Sequence, residues 1–302
     1  MKNKTQLTIA LLIFILVAGI IISVILITSN DENPDKKGNG NPPDQNAEPF
    51  RLSLSVDLTQ QDIETLKQHK NIFLTIEEEG IDISLLSQLD SLEILSISQS
   101  EDIPGNPPLF FISDFSFLRN IISLRALNLD CGGFEFNSDN IANLSNLEKL
   151  TINNAIISSD EEIKGFPNIK ELKIYGSQIN SIDPFCGLNL YSFTLYGCEF
   201  EDRNLDSINE ISSLKELIID FCNDIEFTAF NGLNNLKTLT IKGNDIALNF
   251  ESLLKLTQLE ELSVRYEQFT HEQRVAFVET NPNCILFVGD GQTQEQWIQA
   301  QG

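Results

Sequence analysis

Two histidines, His69 and His271, are the entire imidazole complement of this 302-residue chain. General acid–base work near neutral pH and multi-histidine metal binding both lean on imidazole, and two distant copies supply neither. Five cysteines, Cys131, Cys186, Cys198, Cys222 and Cys284, form no CxxC pair and no regular framework. No serine or cysteine sits in a nucleophile motif, and neither a Gly-rich phosphate loop nor HExxH occurs. The GDG at 289–291 is too short for a calcium loop, which needs several further spaced acids. This inventory points away from an enzyme and nominates no catalytic, cofactor-binding or metal-ligating residue.

Binding chemistry is better represented. Among twenty Phe there are only four Tyr, and Tyr175, Tyr196 and Tyr266 recur at one place of a repeated pattern or beside it. Asp220, Phe221, Lys242 and Arg265 belong to the same strip. Phe fills cores, whereas Tyr suits a surface that is part apolar and part wet, and Tyr and Arg are enriched where binding energy concentrates. The seven residues are therefore the candidate partner-binding set, aromatics as anchors and charges as orienting groups. The alternative is that the aromatics stabilise a sheet surface by stacking alone.

What places them in register is a repeat. IKELKIYGSQI from Ile169 and LYSFTLYGCEF from Leu190 share apolar first, fourth, sixth and eleventh places, with Tyr-Gly at the seventh and eighth. The same skeleton begins at Asn71, Leu92, Leu124, Leu147, Leu214, Leu236 and Leu259, making nine copies. Eight intervals separate them; seven are 21 to 24 residues long and one, from Leu92, is 32. Alternating apolar and polar places describe a short half-buried strand, and stacked coils share a core that one strand cannot make alone. Fifth and seventh places then face opposite to the fourth and sixth. Ile182, Phe185 and Leu188, and likewise Phe227, Phe230 and Leu233, have the spacing of short helical turns on the outer side. The Phe-rich surplus in the long interval suits a larger outer packing unit.

The skeleton resembles the leucine-rich repeat signature L-x-x-L-x-L-x-x-[N/C]-x-L across roughly residues 50 to 288. Its repeat length is similar to the 22-residue class of bacterial surface proteins of the internalin type and of phosphatase-regulating proteins. The resemblance implies an α/β fold, a right-handed solenoid with a parallel concave sheet, about nine repeats and end caps. It also implies a binding role for the concave face. The ninth place departs from the family, reading Glu79, Ser100, Gly132, Ala155, Ser177, Cys198, Cys222, Asn244 and Glu267. Cys198 and Cys222 fall there in consecutive repeats. The family's use of Cys at that place favours buried thiols; a disulfide outside the cell is the alternative.

Thr59 with Asp62 and Thr270 with Gln273 read as capping boxes opening two end-closing helices, the first over TQQDIETLKQHK and the second stopped by Asn281-Pro282. Arg51–Ser55 and CILFV supply opening and closing strands.

The globule accounts for residues 50–290, with 291–302 as a tail. Between Lys4 and Asp31 there is no charge, so residues 7–28 are long and apolar enough for a transmembrane signal anchor rather than a cleaved signal. Lys2 and Lys4 before it, and Asp31 and Glu32 after it, put residues 1–6 in the cytoplasm and the repeats outside. Residues 29–49, rich in Pro, Gly and polar groups, are a flexible linker. A formal net charge of -24 speaks against a nucleic-acid partner by the counterion argument. The expectation is thus a single-pass membrane protein binding a protein, or a glycan, on its concave face without a cofactor. The rivals are a self-associating surface or adhesion component and a cytoplasm-facing regulatory subunit.

Overall fold

The computed structural model describes residues 48–99, 112, 114–158, 168–243, 246–289 and 292–293. The described residues all lie in Asn46–Gly302, the second of two units into which the chain divides. The expected cytoplasmic segment 1–6, anchor 7–28 and most of the linker 29–49 lie outside the described residues, as do residues 103–111 and 113 of the Phe-rich surplus and all of the 291–302 tail but 292–293. No helix among the described residues is long and apolar enough to cross a membrane.

The second unit is built on one sheet. Its elements run β1 (Phe50–Leu54), α1 (Gln60–Leu66), β2 (Asn71–Ile76), β3 (Ile94–Gln99), β4 (Ala126–Asp130) and β5 (Lys149–Asn153). There follow β6 (Ile156–Ile157), β7 (Glu171–Tyr175), β8 (Gln178–Ile179), α2 (Asp183–Cys186), β9 (Ser192–Tyr196) and β10 (Glu199–Phe200). Then come β11 (Glu216–Asp220), β12 (Glu226–Phe227), β13 (Thr238–Lys242), β14 (Ala247–Leu248), α3 (Phe250–Leu253) and β15 (Glu261–Val264). The chain closes with α4 (His271–Thr280), β16 (Ile285–Val288) and β17 (Gln292–Thr293). The main sheet has twelve strands in the order β1-β2-β3-β4-β5-β7-β9-β11-β13-β15-β16-β17, parallel except for the last pair. All nine repeats contribute a strand, and β1 and β16 extend the sheet at either end.

Alternation along each strand is the cause. In β7 the fourth- and sixth-place Leu172 and Ile174 are buried while Glu171, Lys173 and Tyr175 are half-buried on the other face. The same columns in neighbouring coils, such as Leu217 and Ile219 or Leu239 and Ile241, fill one continuous core. Each such side chain contributes about 1.5–3 kcal/mol by leaving water. Short 3-10 turns at Ser84–Gln88, Ser116–Asn120 and Asp206–Glu210, with α2 and α3, return the chain behind the sheet.

The weak ninth column is offset by another one. In six of the nine repeats the residue just before the first place bonds a carbonyl of the preceding coil: Ser123 to Leu92, Asn146 to Ile122, Asn168 to Ser145, Ser213 to Leu190, Asn235 to Ser212 and Gln258 to Leu233. Those side chains satisfy carbonyls that would otherwise be stranded between coils. At the ninth place itself, the Ala155 amide donates to Ser177 Oγ (3.1 Å), and Cys198 Sγ donates to the Ile174 carbonyl (3.4 Å). All five cysteines are free, buried thiols, and the hydrogen bond with Cys198 together with burial raises the Cys222 pKa strongly.

Both capping boxes form, at Thr59–Asp62 and Thr270–Gln273. α1 is shorter than expected, ending at Leu66 with Lys67 as its cap, and His69 beyond it stacks on Phe50 at 4.2 Å. The triplet Ile182, Phe185 and Leu188 is buried around α2, as its spacing predicts. Phe227, Phe230 and Leu233 are buried but not helical. Asp206 accepts from the Thr228 amide (2.8 Å) and the Ser252 hydroxyl from the Phe230 amide (2.7 Å), so neighbouring coils take donors a helix would use internally.

Candidate functional site

Strand register assembles the predicted strip. Asp130, Asn153, Tyr175, Tyr196, Asp220 and Lys242 are direct partners across six adjacent strands. At about 4.8 Å per strand the row is roughly 24 Å long. Tyr175 and Tyr196 contact each other with centroids 6.0 Å apart, and Tyr196 and Phe221 follow at 5.1 Å. The Arg265 guanidinium lies 5.6 Å from the centre of the Phe221 ring and completes the run. Interplanar angles of 48° and 53° make the aromatic pairs tilted, an arrangement worth about 0.5–1.5 kcal/mol each beyond buried area.

The Tyr-Gly pairing has a backbone cause. In four consecutive repeats the chain leaves the sheet at the eighth place, where Asn154, Gly176, Gly197 and Phe221 all have φ between 54° and 62°. Glycine adopts that left-handed conformation freely, asparagine tolerates it, and a bulky side chain is an outlier there. Phe221 nevertheless holds it, helped by its own amide donating to the Asp220 carboxylate at 2.9 Å. The unusual backbone carries the phenyl ring to the Tyr196 and Arg265 contacts.

Burial pushes the Tyr175 phenol up to about 12, with the carboxylates of Glu171 and Glu216 adding to it. The Tyr196 phenol is raised by burial, Asp220 and Tyr175. Both remain neutral donors at physiological pH. Beside them, burial would raise the Glu171 pKa, but hydrogen bonds and charges from Lys173 and Lys149 outweigh it and hold it low. On the other flank a polar net runs from Asn153 to Asn128 (3.0 Å) and on to Ser96 (2.8 Å).

The structure thus brings Tyr175, Tyr196, Asp220, Phe221, Lys242 and Arg265 together on the open sheet face. It does not bring Tyr266 into the row. β15 stops at Val264, and the Gln268 side chain accepts from the Arg265 amide at 2.6 Å, turning the chain into a 3-10 turn at Tyr266–Gln268. The Tyr266 ring instead lies 4.2 Å from the guanidinium of Arg274 on α4. Period-two reasoning overlooked this because Gln268 can cap a strand end as readily as continue one. The fourth tyrosine, Tyr191, which the column reading leaves aside, sits at the second place with the Lys215 ammonium 5.0 Å from its ring. Lysines at the second place of both flanking repeats were the available signal. Among the described residues no cluster of His, Cys, Asp and Glu could hold a metal ion.

No protein-family model matches the sequence, and no curated protein matches it. Solved structures do. An internalin (inlF) from Listeria monocytogenes str. 4b F2365 is 21% identical, with 77% of this chain and 72% of that one covered and a TM-score of 0.48. An internalin C2 from the same strain is 22% identical over 67% of this chain and 75% of that one, with a TM-score of 0.42. TLR13, in a complex with ssRNA13, is 18% identical over 80% of this chain and 36% of that one, with a TM-score of 0.56. The parallel sheet of nine regular coils, its buried Leu/Ile columns and this last likeness agree: the chain has the leucine-rich repeat fold.

Proposed function

We propose that the chain is a membrane-anchored, extracytoplasmic leucine-rich repeat protein that captures a protein partner on the open face of its sheet, without catalysis. Tyr175, Tyr196 and Phe221 anchor the partner, and Asp220, Lys242 and Arg265 orient it, with Tyr266 at the margin. The observation that carries this reading is Phe221. Where the two preceding repeats place Gly176 and Gly197, the chain keeps a phenylalanine in the left-handed region, at a cost of about 1–2 kcal/mol. Strain of that kind persists where a function uses it.

A protein suits the strip better than the alternatives. The rings are tilted against one another and offer no flat platform for a sugar ring or a base. TLR13 carries an RNA in its complex, but a chain with net charge -24 repels a polyphosphate. Residues 7–28 act as the anchor, with flanking lysines on the cytoplasmic side. Protease added to intact cells should therefore digest the repeats; their survival would place them inside.

Phe221→Gly is the decisive variant. Relief of backbone strain roughly cancels the lost ring contacts, so the melting temperature should move by only a few degrees. Capture of the surface partner by the full chain should fall about thirtyfold or more, as for an interface hot spot. Undiminished capture by a folded Phe221→Gly chain would refute the site.

A further inference from the structure

A second row crosses the sheet at the other end of the strands. Backbone hydrogen bonds fix its order: the Glu148 amide donates to Arg125 (2.8 Å), Lys170 to Glu148 (2.8 Å), Tyr191 to Lys170 (2.7 Å), Lys215 to Tyr191 (2.9 Å), Lys237 to Lys215 (2.8 Å) and Glu260 to Lys237 (2.8 Å). The outer members neutralise each other, Arg125 pairing with Glu148 at 3.0 Å and Lys237 with Glu260 at 2.8 Å. The centre is different. Among the described residues neither Lys170 nor Lys215 has a carboxylate partner. Both are exposed, and Tyr191 between them is 51% exposed with the Lys215 ammonium 5.0 Å from its ring centre. In a chain of net charge -24, two unneutralised cations flanking an exposed aromatic mark a local reversal of sign.

We propose that Lys170, Tyr191 and Lys215 form a second docking surface, which takes an acidic polypeptide segment. The row lies five places before the Tyr175–Tyr196 row, about 16 Å away along the strands, so it does not depend on the reading above. The two lysines are two strand steps apart, about 10 Å between backbones. An extended segment presents every second side chain on one side, so acids four residues apart span about 13 Å, within reach of the lysine arms. The side chain midway between them meets the Tyr191 ring. A narrow segment can follow this line without touching the flanking carboxylates. An anionic bilayer would have to approach Glu93, Glu148 and Glu260 on the same margin, and the acidic domain as a whole repels it.

The test uses the full chain and two labelled peptides, one with two glutamates four residues apart and a leucine midway, the other with glutamines in their place. Anisotropy titrations at low salt should show the glutamate peptide binding at least tenfold tighter, with the difference shrinking as salt is raised. Lys170→Glu and Lys215→Glu should each weaken it about tenfold, and Tyr191→Ala severalfold, with melting temperatures unchanged. Tyr196→Ala and Phe221→Gly should leave it intact. Equal binding of the two peptides, no binding of either, or indifference to both charge reversals would overturn the proposal. So would loss of peptide binding in Tyr196→Ala, which would put the segment on the other row. Vesicles containing phosphatidylserine provide the last arm: binding that Lys170→Glu abolishes would assign the patch to lipid instead.

Discussion

Arg274→Ala should destabilise the domain by about 3–5 kcal/mol and melt its C-terminal end first. Arg274 is only 3% exposed. Its Nη1 donates to the carbonyls of Tyr266 (2.8 Å) and Phe269 (2.7 Å), and its guanidinium lies 4.2 Å from the Tyr266 ring centre. Truncation leaves two carbonyls without that donor, at about 1–3 kcal/mol each, and removes a cation–π contact worth about 0.5–2 kcal/mol. In a solenoid each coil contacts only its neighbours, so the loss stays local before it spreads. Hydrogen exchange should therefore quicken in β15, α4 and β16 while β4 to β9 keep their protection. Arg274→Lys should recover only part of the stability, because an ammonium cannot reproduce the planar guanidinium that both stacks and donates. Uniform loss of protection along the chain, or a change below about 1 kcal/mol, would show that Arg274 does not clamp this end.

Gly243→Ala should also be strongly destabilising, for a steric reason. A Cβ at Gly243 would stand 1.8 Å from the Cys222 carbonyl oxygen and 2.6 Å from Ile246 Cδ1. The first contact is backbone of the neighbouring coil, which cannot swing aside, so β11 and β13 must separate locally. Overpacking of this kind costs about 3 kcal/mol, at the upper end of its usual range. It would also disturb the Asp220–Lys242 pairing of the seventh-place row. Gly187→Ala is the matched control: a Cβ there would meet nothing within 4 Å, and the φ of -77° suits any residue. That variant should be neutral or more stable by a few tenths of a kcal/mol. Chemical denaturation of both chains tests the contrast, and equal midpoints would contradict it.

How far the site was readable follows from the same geometry. The seventh-place column predicted Tyr175, Tyr196, Asp220 and Lys242 correctly as one row, because parallel strands in constant register convert equal places in sequence into neighbours in space. Arg265 reached the row by another route, over the Phe221 ring after its own strand had ended. Tyr266 did not, because Gln268 and Arg274 redirected the turn that holds it. The spacing of Phe227, Phe230 and Leu233 predicts helical turns, yet acceptors from two other coils take the Thr228 and Phe230 amides.

The chain's own letters determined the fold: an apolar place repeated at near-constant intervals can bury its face only by stacking, so period and pattern dictate a parallel sheet with nine regular coils. They also determined where the two end-closing helices begin, since each capping box acts within four residues. Tertiary structure alone decided which aromatics touch, which cations are already neutralised and which glycines admit no side chain. Those outcomes depend on groups more than twenty residues apart in sequence, held within a few ångströms by coils that no local pattern records.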